Sequence, residues 1–290
     1  PMPRLLTSIT LLIFVVAGAL LLGGEDLLRL GDEVATQVHG TVDWSDPESV
    51  ALARYNEAFA VTLEPLARIY EAATTPGAAI DAAPARASLA RAQGMAASAA
   101  QDAPETLASL APTFHDYLDK AGALVDAWNP AHLPTALLAE TFEAQHAVND
   151  ALQDTEEARL LRDLRANETE RGYGYQYRLI HYQGYRAARA ATGTLVTAGE
   201  LHGALADYRA AEVTLQRFLE GRSRIHDDFL PFAEAAAALG KAMATLVDGI
   251  GDAPADQWVP DLDGSVVANA FAELRAQRRR LLRLERTGEL

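Results

Sequence analysis

Leu52, Tyr55, Phe59, Leu63, Leu66 and Tyr70 recur at steps of three and four residues. That spacing follows the 3.6-residue turn of an α-helix, so the six side chains form one stripe that must be buried. Val and Ile are sparse and rarely alternate with polar residues, whereas Ala is abundant and Leu, Arg and Glu are common. A chain of this kind favours helix over strand. The expected fold class is all-α. Ser45-Asp46-Pro47-Glu48 is a good helix start, with a capping side chain, a proline in the first turn and an early carboxylate. The helix is expected to reach about Thr74, with a kink at Pro65.

Further helices are expected over the Ala-rich residues 83–101 and from Pro104 to Trp128. Asn129-Pro130-Ala131-His132-Leu133-Pro134 is a clear breaker. Thr135 to about Leu195 reads as one very long helix, or as two with a joint near Gly172-Tyr173-Gly174. Gly193 and Gly199 mark the next joint. Helices over 200–220, 227–248 and 265–286 follow, with Asp252 to Gly264 as the last loop. The expected organisation is an extended bundle of long helices, read as one domain over 45–290.

Leu5 to Gly24 contains no charged residue. Twenty helical residues span about 30 Å, the thickness of a hydrocarbon core. Residues 1–24 are expected to be a single transmembrane anchor or an uncleaved signal, contacting the lipid bilayer through 5–24. Ala17-Gly18-Ala19 keeps open a cleaved signal peptide. Arg4 precedes the span, and Glu25 and Asp26 follow it. The positive-inside bias places the N-terminus in the cytoplasm and the body in the periplasm, against a bacterial inner membrane. Residues 25–44 are expected to be a juxtamembrane helix and linker, with Leu27, Leu28, Leu30, Val34 and Val38 on neighbouring faces.

The net charge is −15, which argues against nucleic acid as a partner. Without cysteine, disulfides, thiolate metal sites and a cysteine nucleophile are excluded for these residues. No Gly-x-Ser-x-Gly, His-Glu-x-x-His, phosphate-cradling glycine loop or dinucleotide fingerprint occurs. Glu143-x-x-His146 has the spacing of a di-iron carboxylate motif, but a ferritin-like site needs a second copy, which is absent. Glu140, Glu143 and His146 therefore read as a solvated helix face. His226-Asp227-Asp228 reads as ordinary capping rather than a metal site. No catalytic, metal or cofactor site is expected.

Residues 171–186, RGYGYQYRLIHYQGYR, hold five of the nine tyrosines. Tyr173, Tyr177, His181 and Tyr185 fall four apart on one helix face, and Tyr175 and Tyr182 form a second row. Two readings stand. One is a ligand or partner surface, in which Tyr supplies apolar area with a polar tip and Arg178 adds charge. The other is a core seam. The Arg-rich helix near the C-terminus, including Arg279 and Arg283, would dock on an acidic face of the same bundle, on a partner or on headgroups.

Arg54-Tyr55-Asn56-Glu57 opens a helix after an apolar leader, and Phe114-His115-Asp116-Tyr117 follows. A Glu-rich helix and an aromatic stretch come next. Over residues 50 to about 220 this pattern resembles a family of bacterial envelope proteins of unknown function, often lipoproteins, whose helical domain opens with a Tyr-Asn pair. The resemblance implies an extracytoplasmic helical domain and carries no catalytic residues. Where such lipoproteins carry their modified cysteine, this chain has Ala19. The functional expectation is a non-catalytic, membrane-anchored accessory or scaffold subunit that contacts the other subunits of a membrane complex. The alternative is a periplasmic ligand-binding or sensory module using residues 173–185.

Overall fold

Asp46 starts the first helix through its carboxylate, which accepts the backbone N–H groups of Glu48 and Ser49 at 3.2 Å each. Pro47 occupies the first turn, where its missing N–H has no intrahelical role. The structure, a computed structural model, describes residues 46–75, 77–167, 172–193, 196–259 and 262–290. Among these are eight helices: α1 Pro47–Thr74, α2 Ala82–Asp102, α3 Leu110–Ala127, α4 Thr135–Ala166, α5 Tyr173–Thr192, α6 Ala198–Glu220, α7 Leu230–Ile250 and α8 Ser265–Thr287. Short 3-10 turns precede α3 (Glu105–Leu107) and α7 (Asp227–Phe229). No strand occurs among the described residues, so the all-helical expectation holds there. The expected anchor (5–24) and the juxtamembrane helix and linker (25–44) lie outside the described residues.

Several expected boundaries shift for local reasons. α1 runs through Pro65 without ending. Pro104 leads into the 3-10 turn, and the regular helix begins only at Leu110. α6 begins before Gly199, because Thr197 and Glu200 form a reciprocal capping box. Gly172 caps α5 and Gly193 ends it, so the long stretch from Thr135 divides into two helices.

The stretch expected as one bundle domain holds two hydrophobic cores, in two compact units that divide at Thr155 and Glu156, inside α4. In the first, the α1 stripe is buried as its spacing requires. Its rings meet those of α3: Tyr55 lies 5.0 Å from Phe114, and Phe59 lies 6.0 Å from Tyr117, between ring centroids. The two short motifs singled out in the sequence therefore pack on each other. On α2 the buried positions are mostly alanines, which lets that helix pack tightly against α1 and α3.

In the second unit α5 packs on α6, α7 and α8. Gly184 makes the close approach possible, since a Cβ there would stand 3.0 Å from both Leu239 of α7 and Leu274 of α8. Tyr208 of α6 donates its hydroxyl to the Ala236 carbonyl of α7 at 2.8 Å. The loop over 255–259 hydrogen-bonds against residues 196–199 at the start of α6. The segment Asp227–Ile250 is long and apolar enough to cross a membrane, but nearly half of it is packed within this unit. Glu234, Lys241 and Asp248 stand on its exposed face.

In the first core, the buried Thr62 hydroxyl donates to the Phe59 carbonyl at 2.6 Å, so Tyr117 must be the donor in its 2.6 Å bond to Thr62. Thr62→Val strands the Tyr117 hydroxyl in the core and is expected to cost about 1–3 kcal/mol, whereas Tyr117→Phe removes only the donor and costs about 1 kcal/mol. Urea unfolding of the full chain checks the ranking.

Candidate functional site

α5 concentrates the chain's densest chemistry, and its surroundings decide what that chemistry can do. Helical spacing puts Tyr177, Ile180, His181, Gly184, Ala187, Ala188 and Ala191 on the inward side, where all are buried. Arg178 stands beside them with a side chain only 9% exposed. A guanidinium so placed is costly unless its N–H groups are matched by carboxylates.

They are matched. Nε of Arg178 donates to Asp163 Oδ1 at 2.9 Å, from the last turns of α4. Nη1 and Nη2 donate to Glu285 Oε1 and Oε2 of α8 at 2.9 and 2.8 Å, a two-pronged pair of fixed geometry. Nη1 also reaches the Gly174 carbonyl at 3.2 Å. The remaining oxygens are taken up in turn. Arg278 donates to Asp163 Oδ2 at 3.0 Å, and the Tyr177 hydroxyl donates to Glu285 Oε2 at 2.5 Å. Two guanidiniums and two carboxylates thus form one neutral chain joining α4, α5 and α8. Gly174 leaves room for it, since a Cβ there would lie 2.6 Å from Glu285 Oε1.

The electrostatics follow. Burial pushes the Glu285 carboxyl up, but the hydrogen bonds from Arg178 and Tyr177 outweigh it and hold the group below the ordinary glutamate range. The Tyr177 hydroxyl is pushed up by burial and by its bond to Glu285, so it acts as a donor. A second set lies alongside. Burial raises Glu156, but the charge and two-pronged hydrogen bond of Arg159, at 2.8 Å for each prong, bring it below its ordinary value. Glu157 pairs with Arg189 at 2.9 Å, and Arg186 pairs with Asp207 at 2.6 Å.

His181 is buried beside Phe271, with ring centroids 5.4 Å apart. Burial, and then the charges of Arg278, Arg275 and Arg159, drive its pKa well below the usual histidine value. The imidazole is therefore neutral.

The other expected contact residues divide by exposure. Tyr173 is half-buried. Its hydroxyl accepts the His226 backbone N–H at 2.9 Å, and its ring packs 4.7 Å from Phe229. Tyr185 is half-buried against Phe271, at 6.2 Å. Tyr182 is half-buried beneath the Arg186 guanidinium. Arg279 is half-buried and Arg283 is exposed. Tyr177, Arg178 and His181 thus face inward, and Arg283 is the most open of the set. The C-terminal basic helix docks on its own unit through Arg278 to Asp163 and Arg280 to Asp228.

Asp163 and Glu285, the partners of Arg178, were not singled out in the sequence. They lie 15 and 107 residues from it, and no local spacing rule links positions so far apart. Among the described residues no group of three or more histidines and carboxylates is placed to hold a metal. Glu140 and Glu143 are exposed, and His146 packs against Phe142 with ring centroids 4.4 Å apart. His226 caps the 3-10 turn before α7. No protein-family model, curated protein or solved structure matches the chain.

Arg178→Met leaves Asp163 and Glu285 without their shared cation and is expected to cost about 3 kcal/mol or more. Arg283→Ala should stay within about 0.5 kcal/mol of the parent. Chemical denaturation separates the two. A pH titration makes a further prediction. His181 binds its proton more weakly folded than unfolded, so stability falls as pH drops below the unfolded value of 6.5. Its share of the slope is up to about 1.4 kcal/mol per pH unit. His146 acts in the same direction. The depressed Glu156 and Glu285 contribute fully above their unfolded value of 4.5 and lose that contribution only below it. His181→Leu should therefore flatten the stability profile between pH 6.5 and 5.

Proposed function

We propose that this chain is a non-catalytic accessory or scaffold subunit of a larger membrane complex. Residues 5–24 tether it to the bilayer, and its helical body lies outside the cytoplasm. The observation that carries this reading is the closure of the α5 network. Arg178, Asp163, Glu285 and Tyr177 satisfy one another across three helices, so these four side chains are engaged in holding helices together. Such a device rigidifies a body and leaves its surface to make contacts. Arg283 and the half-exposed Arg279 and Tyr182 are the proposed contact positions from the expected set.

A ligand-binding or sensory role through residues 173–185 is the less favoured reading, because Tyr177 and His181 already lie within the core. Gentle detergent extraction from the native membrane, native-gel separation and mass spectrometry of the band test the proposal. The expected result is a large, defined complex containing this chain in fixed ratio, and loss of the chain from it when residues 4–24 are deleted. Recovery as a lone monomer from membranes whose known complexes stay intact would overturn the subunit reading.

A further inference from the structure

His181 is an awkward occupant of an apolar core. It is only 3% exposed, and its Nδ1 has no hydrogen-bond partner among the described residues. A buried polar atom left unmatched is destabilising, so its presence calls for a physical reason. The ring packs on Phe271 of α8, and the Arg275 guanidinium lies 5.8 Å from the centroid of that same Phe271 ring. Arg278 follows one turn later on α8. It joins Asp163, which also holds Arg178, three residues before His181 on α5. Arg159 enters from α4, paired with Glu156.

The carboxylates of this cluster are already engaged, Asp163 and Glu285 with Arg178 and Glu156 with Arg159. Tyr177 and Tyr185, the other titratable groups on this side of α5, are kept as neutral phenols by burial. α7 presents Phe232 and Leu239 here, and its Glu234, Lys241 and Asp248 stand on the exposed face. On α6, Asp207 is held by Arg186, and Glu212 lies against Gly240 of α7. The cluster thus sets four guanidiniums (Arg159, Arg178, Arg275 and Arg278) against three carboxylates (Glu156, Asp163 and Glu285). A proton on His181 adds a second net positive charge, with no carboxylate left to take it.

We infer that His181 is an acid-operated latch: taking up a proton there drives α8 off α5, while α5, α6 and α7 stay packed together. α8 is the element that leaves, because it brings two of the guanidiniums and covers the imidazole with Phe271. α5 also packs on α6 and α7, and α6 packs on α7, so three helices keep a common core without it. Burial, and then the charges of Arg278, Arg275 and Arg159, keep the closed form from binding the proton. The open form binds it at the ordinary value of 6.5, so opening becomes easier as pH falls below that value. Release bares Phe271, Leu274 and Leu281, which are buried in the closed form. The inference goes beyond the subunit reading and stands without it.

Amide hydrogen exchange of the full chain tests it at pH 7.5 and 5.5, read by peptide mass spectrometry and corrected for the chemical exchange rate. At both values α8 is expected to open more often than α6, as a separately released element must. The α8 opening constant should rise about tenfold from the higher pH to the lower, as one histidine freed in the open form requires. In His181→Leu the rise should shrink to less than about twofold. Circular dichroism checks that this variant keeps its helix content, and the first two results need no variant. Equal exchange of α8 and α6 at both pH values would mean that the unit opens only as a whole, and would overturn the latch. So would an α8 opening constant that stays flat between the two pH values. A tenfold rise that persists in folded His181→Leu would remove His181 from the device.

Discussion

A guanidinium buried among helices organises the second half of this protein. Arg178 cannot sit where it does without carboxylates along the edges of its plane. Meeting that demand brings Asp163 from the end of α4 and Glu285 from the end of α8 to the same few ångströms of α5. Aliphatic contacts are non-directional and tolerate sliding or rotation of one helix on another. A forked ion pair does not, because both prongs must stay aligned. The apolar contacts around Gly184, Leu239 and Leu274 supply the drive to bury surface, and the polar chain sets the register in which it is buried.

The first unit reaches order differently. Its core is built from ring contacts between α1 and α3 and from alanines on α2, and its buried polar pair, Thr62 with Tyr117, is neutral. Small residues let helix axes come close, so dispersion contacts replace ionic ones as the source of specificity. The chain thus holds two cores of different chemistry, dividing within one continuous helix.

The helices were legible in the sequence because their signals are local. The α1 stripe and the Asp46-Pro47 start specify an element without reference to any other part of the chain. The ends of α5 were half-legible: Gly193 marked a joint together with Gly199, although the helix was expected to reach about Leu195, and Gly172 was part of another joint. The start of α6 was misplaced because Gly199 outweighed the Thr197-x-x-Glu200 capping box, which was there to be read. What α5 does with its tyrosines could not be read locally. Spacing placed Tyr173, Tyr177, His181 and Tyr185 on one face, but that face serves a core as well as a surface. The deciding partners, Asp163 and Glu285, come from other helices.

The central claim is that Arg178 and Glu285 act as one unit in holding α5 to α8. A double-mutant cycle with Arg178→Met, Glu285→Leu and the combined variant, each followed by chemical denaturation, measures this most directly. The account predicts strong coupling, above about 1 kcal/mol, with the double variant far less damaged than the sum of the single ones. Effects that add within about 0.5 kcal/mol would contradict it, and would mean that apolar packing alone sets the position of α8.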